Sequence, residues 1–229
     1  MIIPTHIAII MDGNRRWAKR HKLAILQGHK YASDIVLEKV VEYATKKGVK
    51  YLTFWAFSTQ NWNRNKNEVD GLMNIFRHAL KTKIPSFIKK GVRLKVIGDI
   101  EKLPADIKTG VEKAIESTKE GKNITVIMAI NYGGRDEIIR AVNNYNLKFK
   151  IHNLKLTDKN FSKLLDTKDI PDPDLIIRTG GEKRMSGFLL WQSEYSELYF
   201  TKILWPDFTE KDLDLALLDF SKRQRRFGK

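Results

Sequence analysis

Short runs of apolar, β-branched and aromatic residues punctuate the chain at Ile7–Met11, Tyr51–Phe57, Val92–Ile97, Ile124–Ile130, Leu175–Ile177 and Leu198–Phe200. Such runs read as buried strands. Between them the apolar positions recur with helical spacing. Over 30–47, Ile35, Val36, Val40, Val41 and Ala44 share a face that ends at Gly48. Over 67–89, Val69, Leu72, Met73, Phe76, Leu80 and Ile84 do the same, with Pro85 expected to kink or end the helix. A third helix is expected over 104–120, with Pro104 as its first residue. Two more are expected over 134–147 and 209–222, and the polar stretch 148–172 reads as a short helix and loops. Strands alternating with helices predict an α/β fold: one domain over 1–229, with a central, largely parallel six-stranded sheet flanked by helices.

The first strand stops abruptly at Asp12-Gly13-Asn14-Arg15-Arg16-Trp17. Open α/β sheets bind ligands at the carboxyl ends of their strands. A carboxylate able to hold a metal stands there beside a turn able to present N–H groups and two arginines. This composition suggests a site for a metal-bound phosphate ester; an ordinary turn with an N-capping aspartate is the plainer alternative. No Gly-x4-Gly-Lys-Ser/Thr or Gly-x-Gly-x-x-Gly pattern follows the strand, which disfavours nucleotide-binding loops.

Two further strand ends repeat the theme. Ser58-Thr59-Gln60-Asn61-Trp62-Asn63-Arg64 follows the second, where Trp62 is either a site residue or a packing anchor. Arg178, Arg184 and Ser186 follow the fifth and are suited to clamp a diphosphate, since a guanidinium forms paired, charge-assisted bonds to phosphate oxygens. His29 follows Gly28 at the expected start of a helix, a placement that favours anion contact. The other histidines (His6, His21, His78, His152) show no metal-ligand spacing and are expected at the surface or half-buried. Glu194 and Glu197 precede the last strand; either could meet Asp12 across a Mg²⁺ or be a solvated acid.

Charge narrows the ligand class. Lys and Arg number 42 against 27 Asp and Glu, a formal net charge of +15. This favours anionic partners: nucleic acid, phosphorylated molecules or an acidic membrane surface. The chain has no cysteine, hence no disulfide and no thiolate chemistry. No apolar run approaches the roughly 20 residues of a membrane span, and strand 1 begins too early for a signal peptide. A cytoplasmic location is expected. Aromatic-basic interleaving of the nucleic-acid-binding kind is absent, so no nucleic acid partner is expected.

Taken together, the motifs resemble the cis-prenyltransferases, the undecaprenyl diphosphate synthase family. The resemblance runs from His6 to Gly228. It rests on Met-Asp-Gly-Asn-x-Arg-Trp at 11–17, Gly-His at 28–29, Ala-Phe-Ser-x-x-Asn-Trp-x-Arg at 56–64 and Glu68. Asn-Tyr-Gly-Gly-Arg at 131–135, Arg-Thr-Gly-Gly-Glu-x-Arg at 178–184 and Phe-Leu-Leu-Trp-Gln at 188–192 add to it. Tyr-x-Glu-Leu-Tyr-Phe at 195–200, Trp-Pro-Asp-Phe at 205–208 and Arg-Phe-Gly at 226–228 complete it.

The resemblance implies an enzyme that condenses isopentenyl diphosphate with an allylic diphosphate such as farnesyl diphosphate. Each new double bond is cis, and the product is one such as undecaprenyl diphosphate, precursor of the lipid carrier for cell-wall glycans. It assigns Mg²⁺ to Asp12 and Glu197. The allylic diphosphate falls to Gly13, Asn14, Arg15, Arg16, Trp17, His29 and Arg64. Isopentenyl diphosphate falls to Arg178, Arg184, Ser186, Arg226 and Gly228, the last two completing the pocket across a homodimer interface. Asp12, Asn14, Ser58, Asn61 and Trp62 are placed near the reacting carbons. An apolar tunnel between the sheet and two helices would hold the growing chain, walled by the apolar faces of 30–44 and 69–84 with Ala56 and strand 124–130. Contact with a membrane surface is expected for product release.

The chain departs from the family pattern in places. Arg15 stands where glycine is common, Ile25 where an arginine is expected, Gln60 for an acid, Asn65 for proline, Lys183 for histidine and Gly187 for asparagine. Members with another product length, or with a short-chain or cyclising condensation, fit the same motifs. A weakly catalytic partner subunit fits less well, since Asp12, Arg178, Arg184 and Glu197 are all present.

Overall fold

A computed structural model of the chain describes residues 1–149 and 156–226. The six expected strands are all present: β1 His6–Ile10, β2 Tyr51–Ser58, β3 Val92–Ile97, β4 Ile124–Tyr132, β5 Leu175–Arg178 and β6 Glu197–Phe200. They form one sheet in the order β3-β4-β2-β1-β5-β6, and every pairing is parallel. β1 is buried along its whole length, as its unbroken apolar run requires. The chain leaves β1 toward β2 on one side and later returns to β5 on the other. The carboxyl end of β1 is therefore the crevice where this sheet places a ligand.

The helices are α1 Asn14–Arg20, α2 Ile25–Tyr31, α3 Leu37–Lys46, α4 Lys66–Lys89, α5 Ala105–Thr118, α6 Gly134–Phe149, α7 Asp158–Ser162 and α8 Glu210–Ser221. Four places differ from the sequence reading. α1 is a helix where only a turn was expected. The helix expected to begin at 30 begins at Ile25 and passes through a π turn at Ala32–Val36 before α3. That wide turn changes the phase of the helix, so Ile35 is 40% exposed while Val36, Val40, Val41 and Ala44 are buried. α4 does not end at Pro85 and spans 24 residues, about 36 Å. The carbonyl left without a donor by Pro85 is that of Lys81, which is exposed and can turn to water. Pro104 caps α5 from outside instead of opening it.

The main core lies between one sheet face and α3, α4 and α8, with Val40, Phe54, Val126, Trp205 and Leu217 among its members. A second core covers the other face around Ile127, Tyr132 and Phe188. His6, expected nearer the surface, is buried at the start of β1. Its Nδ1 lies 2.6 Å from the Pro171 carbonyl and its Nε2 2.7 Å from the Thr53 hydroxyl. A carbonyl only accepts, so Nδ1 carries the proton and Thr53 donates to Nε2. Burial pushes its pKa down to about 4.

Candidate active site

Asp12 is fixed by its backbone before its side chain does anything. Its N–H donates to Ile10, and its carbonyl accepts from Trp205 N–H at 2.9 Å and from the Thr179 hydroxyl at 2.8 Å. Gly13 then turns the chain with φ 113°, a left-handed conformation that glycine adopts without strain, and starts α1. A Cβ at Gly13 would lie 2.9 Å from Leu204 Cα, so a side chain is excluded by space as well.

The register Ile10↔Arg178 sets the end of β5 beside the end of β1. Arg178 is 5% exposed. It donates to the Asp12 carboxylate at 2.9 Å, to Ser186 Oγ at 2.8 Å and to the Arg184 carbonyl. Its Nε is buried with no partner among the described residues. A buried guanidinium donor left open is costly unless a ligand fills it. Arg16 reaches the other Asp12 oxygen at 3.3 Å.

α1 and α2 cross at Gly28. A Cβ there would sit 2.2 Å from the Asn14 carbonyl oxygen, so the crossing tolerates no side chain. This contact brings His29 up to the β1 end, in the body of α2 and not at its start as expected. Burial and the charges of Arg64 and Arg15 push His29 down to about 4, and it is neutral at pH 7. Its Nε2 and Asn14 Oδ1 are both buried and have no partner among the described residues. Glu68 holds Arg64 at 3.0 Å and Arg15 at 3.8 Å. Met11–Arg16, His29 and Arg64 line a cavity of about 340 Å³, so six of the seven residues proposed for the allylic diphosphate stand together. Trp17 is the seventh; it stacks on Tyr31 and donates to Asp207, away from this cavity.

A second cavity of about 460 Å³ opens from the same point. Asp12, Asn14, Ser58, Asn61, Arg178 and Ser186 stand at its polar end, and its walls run through Leu37, Phe76, Leu80, Phe87, Leu94, Val111 and Met128. Ala32, Ala56 and Ile130 belong to the wall as expected, while Val40, Val41 and Ala44 belong to the core alone. Ser58 and Asn61 are set by a reciprocal cap on the 3₁₀ turn Thr59–Asn63, where Ser58 N–H donates to Asn61 Oδ1 at 3.1 Å. Ser33 and Lys83 also reach this cavity, and sequence reasoning missed both. Ser33 lies in the π turn, which no hydrophobic period announces.

Other expected residues stand apart. Trp62 packs edge-on against Phe57 and donates to Asn131 at 2.8 Å, outside both linings. The Arg184 guanidinium pairs with Glu182 at the surface, and only its carbonyl joins the site. Arg226 is exposed and meets Gln224. Gly228 and His152 lie outside the described residues. Glu197 corrects an expectation for the single chain: it opens β6, in register with Leu175 and Ile7 at the amino end of the sheet. Asp12 lies beyond the carboxyl end, and Glu197 Oε2 is instead 2.7 Å from Arg223. These two carboxylates do not share an ion within one chain.

The donors at Asp12 suit Mg²⁺ on different terms. Among the described residues no three acidic or histidine side chains converge into an all-protein cage. Mg²⁺ commonly takes one or two carboxylates and completes its shell with water and substrate phosphates. One pinned carboxylate beside unfilled arginine, asparagine and histidine atoms fits that pattern.

The site is thus an anion cradle at the central strand end of a parallel α/β sheet, opening on a cavity with apolar walls. The family model described as "Putative undecaprenyl diphosphate synthase" matches residues 10–228. The chain is 48% identical to an isoprenyl transferase of Thermotoga maritima, covering 100% of this chain and 98% of that one. It is 49% identical to one of Fusobacterium nucleatum, covering 99% and 96%. A lavandulyl diphosphate synthase from Lavandula x intermedia, solved with dimethylallyl diphosphate, superposes with a TM-score of 0.95 at 36% identity and 99% coverage of both chains. "A probable undecaprenyl diphosphate synthase" from Campylobacter jejuni gives 0.84 at 34% identity over 100% of both. The chain belongs to the undecaprenyl diphosphate synthase family of prenyltransferases.

Proposed function

We propose that the protein condenses isopentenyl diphosphate with an allylic diphosphate, making a cis double bond at each addition, with Mg²⁺ at Asp12. The observation that carries this reading is one junction. The cradle of Asp12–Arg16, His29 and Arg64 opens directly into a cavity with an apolar wall. A diphosphate head and a prenyl tail would each find the surface they need there.

In this reading the allylic diphosphate lies on Arg15, Arg16, Arg64 and the first turn of α1, whose N–H groups lack intrahelical acceptors. As the allylic C–O bond breaks, negative charge grows on the departing diphosphate, and these fixed donors stabilise it. When bound, Mg²⁺ would neutralise part of that charge as a Lewis acid. Arg178 and Ser186 hold the second diphosphate so that its double bond faces the allylic carbon, which removes the entropic cost of bringing two substrates together. The new C–C bond forms and isopentenyl diphosphate loses a proton. Asn14, Ser58 and Asn61 stand at that end of the cavity. The apolar wall receives the lengthening tail. A homodimer would add Arg226, Gly228 and Glu197 from a second chain, and a lipidic product calls for a nearby membrane in the cytoplasm.

A short-chain condensation is the second reading, favoured by the lavandulyl diphosphate synthase superposition. Incubation with Mg²⁺, isopentenyl diphosphate and primers of several lengths separates them by mass. Stepwise additions of isopentenyl units support elongation, and one addition supports the second reading. Absence of diphosphate release with every primer contradicts both.

A further inference from the structure

The turn joining α1 to α2 has a surface that the reaction does not use. Residues 13–33 contain six Lys or Arg and no acid. Arg15, Arg16 and Lys30 have acidic partners in Glu68, Asp12 and Asp34. Lys19, Arg20 and Lys22 are exposed and make no ion pair among the described residues. Beside them Leu23 is 46% exposed and Ile25 is 42% exposed. Ile25 is the position where the family pattern places an arginine.

This apolar exposure is held in place. Lys22 takes a left-handed conformation (φ 57°) that closes the turn. Beneath it Trp17 stacks between His21 and Tyr31, with ring centroids 4.2 Å and 5.1 Å away. The Trp17 indole N–H is anchored on Asp207.

We propose that the α1–α2 turn docks on an anionic lipid bilayer, with Leu23 and Ile25 entering the interface and Lys19, Arg20 and Lys22 meeting the headgroups. An apolar tip ringed by basic side chains has the composition of an interfacial anchor. Cations near a charged leaflet each add attraction that salt screens. Local charge favours this surface over the exposed pair on α8. Leu215 and Leu218 on α8 are as exposed, but Asp212, Asp214 and Asp219 lie within four residues of them, whereas the α1–α2 turn contains no acid. Nucleic acid would use the cations yet leave the two aliphatic residues in water. The inference deepens the proposed function by naming the surface. Its test needs no turnover, so either can fail without the other.

Sedimentation with vesicles reads the proposal directly. The full chain is expected to pellet with phosphatidylglycerol-phosphatidylcholine vesicles and to stay in solution with phosphatidylcholine alone. Replacing Lys19, Arg20 and Lys22 by Gln should weaken binding on the order of 100-fold, from about fivefold per cation. The Leu23→Glu, Ile25→Glu pair should weaken it more than tenfold. A Leu215→Glu, Leu218→Glu pair should leave it unchanged. Far-UV circular dichroism checks that each variant folds. The proposal is overturned by equal binding to neutral vesicles, or by no binding to anionic ones. It is equally overturned if both turn variants bind like the wild type, or if the chain binds a dT20 oligonucleotide and no vesicle.

Discussion

Gly28→Ala isolates the packing that builds the anion cradle. The added methyl would meet the Asn14 carbonyl oxygen at 2.2 Å, more than an ångström inside an ordinary contact. The obstacle is backbone and cannot swing aside, so α1 must move against α2 by about 1 Å. Overpacking of this kind costs roughly 1–3 kcal/mol. At this chain length that lowers the melting temperature by about 2–4 °C per kcal/mol. The larger effect falls on turnover. Asn14, Arg15 and Arg16 ride on α1 and His29 on α2, and a misplacement of about 1 Å can cost on the order of 100-fold in rate. The control is Gly71→Ala, whose methyl meets the Leu26 side chain, with Cδ1 at 2.2 Å and Cδ2 at 2.9 Å, and a side chain can shift where a backbone carbonyl cannot. There the steric term competes with the gain of roughly 1 kcal/mol from replacing a helical glycine. Steady-state kinetics with thermal melts on both variants decides it. Wild-type turnover and melting in Gly28→Ala would refute the claim that this crossing sets the cradle.

Other expectations follow from single contacts. Asp12→Asn keeps the shape but removes the charge that Arg178 and Mg²⁺ would share; turnover should fall about 100-fold with fold retained, and near-normal turnover at saturating Mg²⁺ would contradict the assignment. Glu68→Gln releases Arg64 and Arg15 together, and should raise KM for the allylic substrate more than for isopentenyl diphosphate; equal changes would count against a shared cradle. His6 has a pKa of about 4 folded and about 6.5 unfolded, so the unfolded chain binds more protons between those values. Stability therefore rises with pH through this window and is lost as pH falls from 6.5 toward 4, by up to about 3 kcal/mol. Chemical denaturation at pH 7, 5.5 and 4.5 measures the slope, which His6→Gln should flatten.

Much of this was legible in the residues because β1 is so uniformly apolar that its end could be located. Asp12, Gly13, Arg16 and Arg178 each stand at a strand end, where sheet topology converges them. α1 was not legible, since only Trp17 and Ala18 turn their apolar surface inward after the capping stretch. The π turn was hidden because it changes phase within an otherwise regular helical period. The helix runs on past Pro85 because a helix interior can lose one hydrogen bond where the freed carbonyl faces water. Within one chain Asp12 does not meet Glu197, because register, which no spacing reveals, sets Glu197 at the far end of a parallel sheet. Trp62 packs on Phe57 and bonds Asn131, contacts that no spacing in the sequence announces.

The central claim is tested most directly by the geometry of the bond that is made. The protein would be incubated with Mg²⁺, ¹³C-labelled isopentenyl diphosphate and farnesyl diphosphate, and the new double bond read by NMR. Elongated product with cis geometry at every added unit is the predicted result; trans units, or no elongation at all, would contradict the account.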